Sequence, residues 1–245
     1  MKIRSVGLLL PLVALAGLAR AADMKSTTPE PQKDAWAQKW WMPRHEQKLA
    51  EVKKLQGKVD LLWIGDSITH GWENTGKSVW DESYAKRNAF NIGFSGDRTE
   101  QVLWRLQNGE VEGIAPKLIV MMIGTNNAGH RKEKSEETAA GIKAILEELG
   151  KRLPQSKVLL LAIFPRGAKT EDALRKLNDE TNKLIAPYAD NKRVFFLDIN
   201  AKFLQPDGTL TKDIMPDLLH PNPKGYKIWA EAVEPTIEKL MSDAK

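Results

Sequence analysis

The 245-residue chain contains no cysteine. Disulfides, thiol nucleophiles and cysteine-based metal sites are therefore excluded. Histidine is scarce as well: there are four, and none stands in an H-x-H or H-E-x-x-H pattern. Metal-dependent hydrolysis is a weak reading for that reason, because such sites gather several ligands together. Neither glycine-rich phosphate motif occurs, which argues against nucleotide binding. The one long apolar run, residues 6–18, is about 13 residues, short of the roughly 20 needed to span a bilayer.

That run follows Lys2 and Arg4 and leads to Ala19-Arg20-Ala21, a small-x-small cleavage pattern. A charged start, a short apolar stretch and this ending predict a signal peptide over residues 1–21 and a periplasmic or secreted mature protein, without stable membrane insertion after cleavage. Its removal takes away Lys2, Arg4 and Arg20 and lowers the formal net charge from +5 to +2. The remaining basic pairs, Lys53-Lys54 and Arg131-Lys132, are scattered among acids, so no nucleic-acid footprint is expected. Residues 22–32, polar and carrying Pro29 and Pro31, read as a flexible leader, and residues 33–245 as one domain.

From residue 33 onward two patterns alternate. Helices are predicted over 33–55, 98–107, 135–152, 171–188 and 223–241. Between them stand apolar runs at 59–64, 89–92, 118–123, 158–163 and 194–199. Continuous runs of this length suit strands buried on both faces, as in a parallel sheet covered by helices. Regular alternation predicts a doubly wound α/β fold, whose sites gather at the carboxyl ends of the strands.

Small and polar residues follow each run. Gly65-Asp66-Ser67 comes after the first, Gly93-Phe94-Ser95-Gly96-Asp97 after the second, Gly124-Thr125-Asn126 after the third and Pro165-Arg166-Gly167 after the fourth; Asp217-Leu218-Leu219-His220 lies downstream of the fifth. Ser67, at a strand end, is a candidate nucleophile that needs a base. Of the four histidines, His45 falls on an amphipathic helix as a surface or packing residue. His70 shares the Ser67 loop without an acid, and His130 stands in a polar stretch expected to be solvated. His220 alone has an orienting acid, Asp217, three residues earlier. An oxyanion needs aimed donors: the Gly96 N–H, the Asn126 side chain and the Ser67 N–H are the candidates. Singly, the Asp-x-x-His pair reads as a loop cap, Gly96 as a turn and Asn126 as a backbone anchor. Together with Ser67 they read as a site.

Gly65-Asp66-Ser67, Gly96, Gly124-Thr125-Asn126 and Asp217-x-x-His220 resemble, in order, the four sequence blocks of SGNH/GDSL hydrolases over residues 40–241. The stretch from Asn91 to Thr99, with Val102-Leu103-Trp104-Arg105-Leu106 beyond it, is similar to the platelet-activating-factor acetylhydrolase isoform Ib catalytic subunits. The resemblance implies a flavodoxin-like three-layer α/β/α sandwich with a five-stranded parallel sheet, and cofactor-free, metal-free ester hydrolysis. Ser67, Asp217 and His220 would be catalytic, with Ser67, Gly96 and Asn126 forming the oxyanion hole. The leader and the segment bearing Trp36, Trp40 and Trp41 are unlike an intracellular phospholipid enzyme.

Ser95 imitates a nucleophile elbow, but Asp97 stands where the second glycine of G-x-S-x-G belongs. Asp66 is expected to bond loop amides, and Asp97 and Arg98 to pair or to organise their loop. Of the eight tryptophans, Trp104 and Trp229 are assigned to the core and Trp72 and Trp80 to the cleft rim. Ile68 and Leu219 flank nucleophile and base. They either wall a pocket for a short acyl group or point into the core. The expected substrate is a small-molecule or carbohydrate ester, acetylated sugars first and lipid or lysophospholipid esters second. A non-catalytic carbohydrate-binding module is the rival from another class. A homodimer is compatible with the sequence.

Overall fold

A computed structural model describes residues 24–242. The expected signal peptide lies outside the described residues. Five strands, β1 (Leu61–Gly65), β2 (Ala89–Gly93), β3 (Leu118–Met122), β4 (Lys157–Leu161) and β5 (Val194–Leu197), form one sheet in the order β2-β1-β3-β4-β5. Every pairing is parallel; Gly65 stands opposite Gly93 on one side and Met122 on the other. Helices cover both faces, giving the expected three-layer α/β/α sandwich.

Side-chain alternation along the strands divides the apolar residues between two cores. Leu62, Ile64, Ile119, Met121, Val158 and Leu160 face α4 (Thr99–Gln107) and α6 (Ser135–Arg152). Leu61, Trp63, Leu118, Val120, Leu159 and Leu161 face α3 (Lys77–Ser83) and α8 (Pro223–Ser242). Each aliphatic side chain buried in this way contributes about 1.5–3 kcal/mol. The second core is aromatic: Trp63, Trp72 and Trp229 are fully buried, with ring centroids 4.9–5.5 Å apart. Trp80 packs against the same cluster. Trp72 and Trp80 are thus core residues and not the cleft rim expected for them. Trp229 is core as expected, and Trp104 packs, partly buried, on Trp41 and Phe94.

Two other expectations are corrected. The helix predicted over 33–55 begins only at Trp41, as α1 (Trp41–Leu55), and residues 35–40 form turns. Pro43 has no N–H to bond back to residue 39, and proline fits a helix best in its first turn. Residues 24–32, read as part of a flexible leader, are docked. Ser26 is fully buried; its Oγ donates to Glu137 O at 2.7 Å, and its carbonyl accepts from Thr99 Oγ1 at 2.8 Å. Gln32, also buried, donates through Nε2 to Gly96 O at 3.4 Å. Hydrogen bonds to distant backbone, invisible in local composition, tie this strap to α4, α6 and the loop after β2.

Beneath the strap lies a buried charge cluster. Arg105 donates to Asp97 Oδ2 at 2.8 Å and to Glu110, and its guanidinium sits 4.0 Å from the centre of the Phe94 ring. Trp41 Nε1 donates to Asp97 Oδ1 at 2.6 Å, and His45 Nδ1 lies 2.9 Å from Glu110 Oε1. Asp97 therefore pairs with Arg105, nearly two turns into α4, and not with its neighbour Arg98, which binds Asp34 and Glu100. Arg105, Asp97 and Glu110 are fully buried, so removal of the cation strands two acids in a low-dielectric interior. Arg105→Met is expected to lower unfolding free energy by about 3–5 kcal/mol in urea titrations. A loss below ~1 kcal/mol would show that the cluster does not hold this side of the fold.

Candidate active site

In the order β2-β1-β3-β4-β5 the chain reverses direction across the sheet between β1 and β3, and a crevice opens outside their carboxyl ends. Ser67 opens α2 (Ser67–His70), the short helix directly after β1. Asp66 caps it, accepting the Ile68 N–H at 3.0 Å. That is the amide-bonding role expected of Asp66. Burial pushes its carboxyl up to about 6, against the opposing pull of the Ile68 N–H, His220 and Arg166. Gly65 is required by close approach: a Cβ there would fall 2.1 Å from Thr69 Oγ1 and 2.5 Å from Met122 O. From α8, Tyr226 Oη donates to Ile68 O at 2.7 Å and fixes α2 against the last helix.

His220 arrives on the loop before α8. Its Nε2 lies 2.8 Å from Ser67 Oγ, and its Nδ1 lies 2.6 Å from Asp217 Oδ2. With Nδ1–H donated to Asp217, the Nε2 lone pair faces the serine hydroxyl. Asp217 Oδ1 also accepts the N–H groups of Leu219 and His220, at 3.0 and 2.7 Å. Partial burial raises the Asp217 carboxyl, but the His220 ring bond and these backbone donors outweigh it and hold the group below its ordinary range. Between acid and base, Leu218 sits at φ +59°, a conformation costly for a residue with a Cβ. Its carbonyl accepts the Gly167 N–H at 2.9 Å, which ties the loop to the segment after β4.

The oxyanion candidates come from the neighbouring strand ends. Gly96 has φ +77°, the left-handed region glycine tolerates without penalty. Asn126 belongs to α5 (Thr125–Arg131), and one of its side-chain N–H groups donates to Asp97 O at 3.0 Å. That bond holds the Gly96–Asp97 loop in register with the end of β3. Arg166, from the Pro-Arg-Gly segment, donates to Thr125 O at 2.8 Å and so fixes the start of α5.

The other histidines are occupied. His70 Nδ1 accepts from the Ser95 N–H at 3.3 Å and lies 3.0 Å from Ser95 Oγ; burial, with the Arg44 charge, pushes the ring down to about 4. His45 is buried in the Glu110 cluster, a packing role. His130, expected to be solvated, is only partly exposed, and its Nδ1 accepts from Arg98 Nη1 at 3.1 Å. Ser95 serves the His70 contact and does not meet His220.

The flanking aliphatic residues divide. Ile68 is fully buried in the aromatic core, so it does not wall an acyl pocket. One residue along α2 from Ser67, its side chain is rotated by a helical step of about 100° toward the sheet. Leu219 packs partly on that core and lines a cavity of ≈ 570 Å³ beside Asp217, together with Arg166, Gly167 and Leu174. The sequence reading passed over the aromatic rim that is present: Trp36, 51% exposed, lies against Gly96, with Trp40 beside it. Nothing in the local pattern distinguishes Trp36 from its neighbours. Its exposure and its place next to Gly96 follow from the docked strap.

A strand-end serine hydrogen-bonded to an acid-oriented imidazole, with amide donors on the adjoining loops, defines an ester hydrolase of the α/β class. The profile of the GDSL-like lipase/acylhydrolase family matches residues 63–228, and the chain belongs to that family. It is 35% identical over 218 residues to the human platelet-activating factor acetylhydrolase IB subunit alpha1, covering 89% of this chain and 91% of that protein. To the rat alpha2 subunit it is 37% identical over 204 residues, covering 82% and 83%. Among solved structures, a GDSL-like lipase from Bacteroides thetaiotaomicron superposes with a TM-score of 0.65 at 22% identity, over 80% of this chain and 97% of that one. An acetylxylan esterase from Geobacillus stearothermophilus does so with 0.58 at 19%, over 77% and 96%. These two likenesses are of fold.

Asn126 is the side-chain candidate for a donor to developing negative charge. Asn126→Ala is expected to lower kcat by about 10²–10³-fold with KM little changed. A small effect on kcat with a large rise in KM would show that Asn126 binds the ground state instead.

Proposed function

We propose that this protein removes short acyl groups, acetyl foremost, from carbohydrate esters outside the cytoplasm, by way of a Ser67 acyl-enzyme. The observation that carries the chemistry is the continuous hydrogen-bonded line from Ser67 Oγ through the His220 ring to Asp217, at 2.8 and 2.6 Å. His220 Nε2 takes the Ser67 proton as Oγ attacks the ester carbonyl. The negative oxygen is met by the Ser67 and Gly96 N–H groups and the Asn126 side chain. Collapse of the tetrahedral species expels the alcohol, which takes the proton back from His220. Water, deprotonated by the same nitrogen, then releases the acid.

Three things support the acyl group and the setting. The curated relatives carry the name acetylhydrolase, and one neighbour in fold is an acetylxylan esterase. Residues 1–21 have the charged, apolar and small-x-small parts of a signal peptide. The His220 and Asp217 side chains are 41% and 56% exposed, so a bulky alcohol can reach the nitrogen that must protonate it. A phospholipid acetyl ester is the second reading, favoured by the 35% identity to a platelet-activating factor acetylhydrolase subunit.

A pH-stat comparison of acetylated xylo-oligosaccharides, short-chain phospholipid acetates and p-nitrophenyl esters from acetate to octanoate separates these readings. The expected outcome is the highest kcat/KM on the sugar acetates, with a decline from p-nitrophenyl acetate to octanoate. A kcat/KM that rises toward octanoate, or is highest on the phospholipid acetate, would move the substrate to lipids.

A further inference from the structure

The proposed triad and oxyanion donors use most of the polar groups on this face, but leave the two aromatic rings beside them without a role. Trp36 is the most exposed large apolar side chain among the described residues, at 51%. An exposed indole loses the hydrophobic benefit of burial, yet this one is held in place from several sides. A Cβ placed on Gly96 would fall 2.1 Å from Trp36 Cη2, so the benzo edge of the indole rests directly on the glycine of the oxyanion loop. The neighbouring Ala37 is fully buried, and its N–H donates to Asp34 O at 2.9 Å. The Asp34 carboxylate receives Arg98 Nη1 at 3.0 Å, and Gln32 is bonded to Gly96 O. The ring is therefore presented to solvent on a pinned backbone.

Trp40 extends the surface: its ring centroid lies 5.9 Å from that of Trp36, with the planes 32° apart, and 6.1 Å from that of His70. On the other side His130 stands edge-on to Trp36 at 6.4 Å. Because His130 Nδ1 accepts from Arg98, Nε2 carries the ring proton, and no partner for that N–H occurs among the described residues. Burial and the Arg98 charge push the His130 ring below its ordinary range, which keeps this neutral tautomer at neutral pH. An open aromatic shelf with an unused N–H at its margin suits a ring that has one apolar C–H face and hydroxyls around its edge. It suits an acyl chain poorly, since a chain needs enclosure to leave water and has no use for the N–H.

We infer that Trp36 and Trp40, with His130 at their margin, form a binding subsite for a pyranose ring of the substrate, set beside the proposed oxyanion hole by the strap of residues 24–32 and the turns of residues 35–40 that follow it. The inference rests on the acetyl-carbohydrate reading and extends it by naming the residues that select the sugar. It also gives Gly96 a second reason to lack a side chain, because a methyl there would displace the shelf.

The test is the ratio of kcat/KM for an acetylated xylo-oligosaccharide to that for ethyl acetate, which has no ring to stack, in wild type, Trp36→Ala and Trp36→Phe. In Trp36→Ala the ratio is expected to fall about 3–10-fold, chiefly through KM on the sugar ester, and Trp36→Phe should restore most of it. An equal loss on both substrates would overturn the subsite and make Trp36 a support for the Gly96 loop. A ratio that falls for a phospholipid acetate but not for the sugar would overturn it in favour of a lipid. Wild type active on ethyl acetate but inert to sugar acetates would defeat the carbohydrate reading and this inference together, with the esterase standing. Wild type inert to every ester would defeat the catalytic reading itself.

Discussion

The contact between Ser67 Oγ and His220 Nε2 joins positions 153 residues apart, and much of the architecture serves to hold it at 2.8 Å. Its serine end is fixed by β1, which delivers Ser67 to the sheet edge, and by Asp66, which caps the short helix that follows. Its histidine end is fixed by Asp217, which binds the ring and two backbone amides of the same turn, and by the Leu218 carbonyl bonded to Gly167. The Tyr226 bond to Ile68 O then clasps α8 to α2 directly behind the nucleophile. Each tie is polar, short-ranged and backed by the aromatic core of Trp63, Trp72 and Trp229. Such a core tolerates little change in volume and so transmits little slack.

The opposite wall of the crevice is held differently. There the loop after β2 is anchored from below by Asp97 on Arg105 and Trp41, from the side by Asn126 on Asp97 O, and from above by Gln32 on Gly96 O. A hydrogen-bond donor aimed at charge that develops only in the transition state is effective when it does not have to move. The buried charge cluster supplies that rigidity at the cost of burying two acids. The Gly96–Asp97 side of the crevice is thus firmly held, while His220 and Asp217 on the other side face solvent.

The sheet was legible in the sequence because its strands are buried on both faces: five continuous apolar runs fall within a residue or two of β1–β5, and the first three are each followed directly by a loop that carries a candidate site residue. The same logic nominated Ser67, Asp217, His220, Gly96 and Asn126, and the structure places Ser67, His220 and Asp217 in one hydrogen-bonded line, with Asn126 bonded to the Gly96–Asp97 loop beside it. What escaped depends on contacts between distant segments. Residues 24–32 look like a leader because they are polar and hold two prolines, yet Ser26 and Gln32 are buried by bonds to Glu137 and Gly96. Ile68 looked like a pocket wall because it adjoins Ser67, but a single helical step turns it into the core. Asp97 was offered Arg98 as a partner by adjacency and takes Arg105 instead. Among eight tryptophans, composition cannot separate the four that line the aromatic core from the one left exposed beside Gly96.

The central claim is that Ser67 is the nucleophile of this family member, activated by His220. A fluorophosphonate probe reacts with a serine whose hydroxyl is activated by an adjacent base, and peptide mapping of the adduct identifies that serine. The account predicts a single labelled peptide carrying the probe on Ser67, and no labelling in Ser67→Ala. Modification of Ser95, or undiminished labelling of the Ser67→Ala protein, would contradict it.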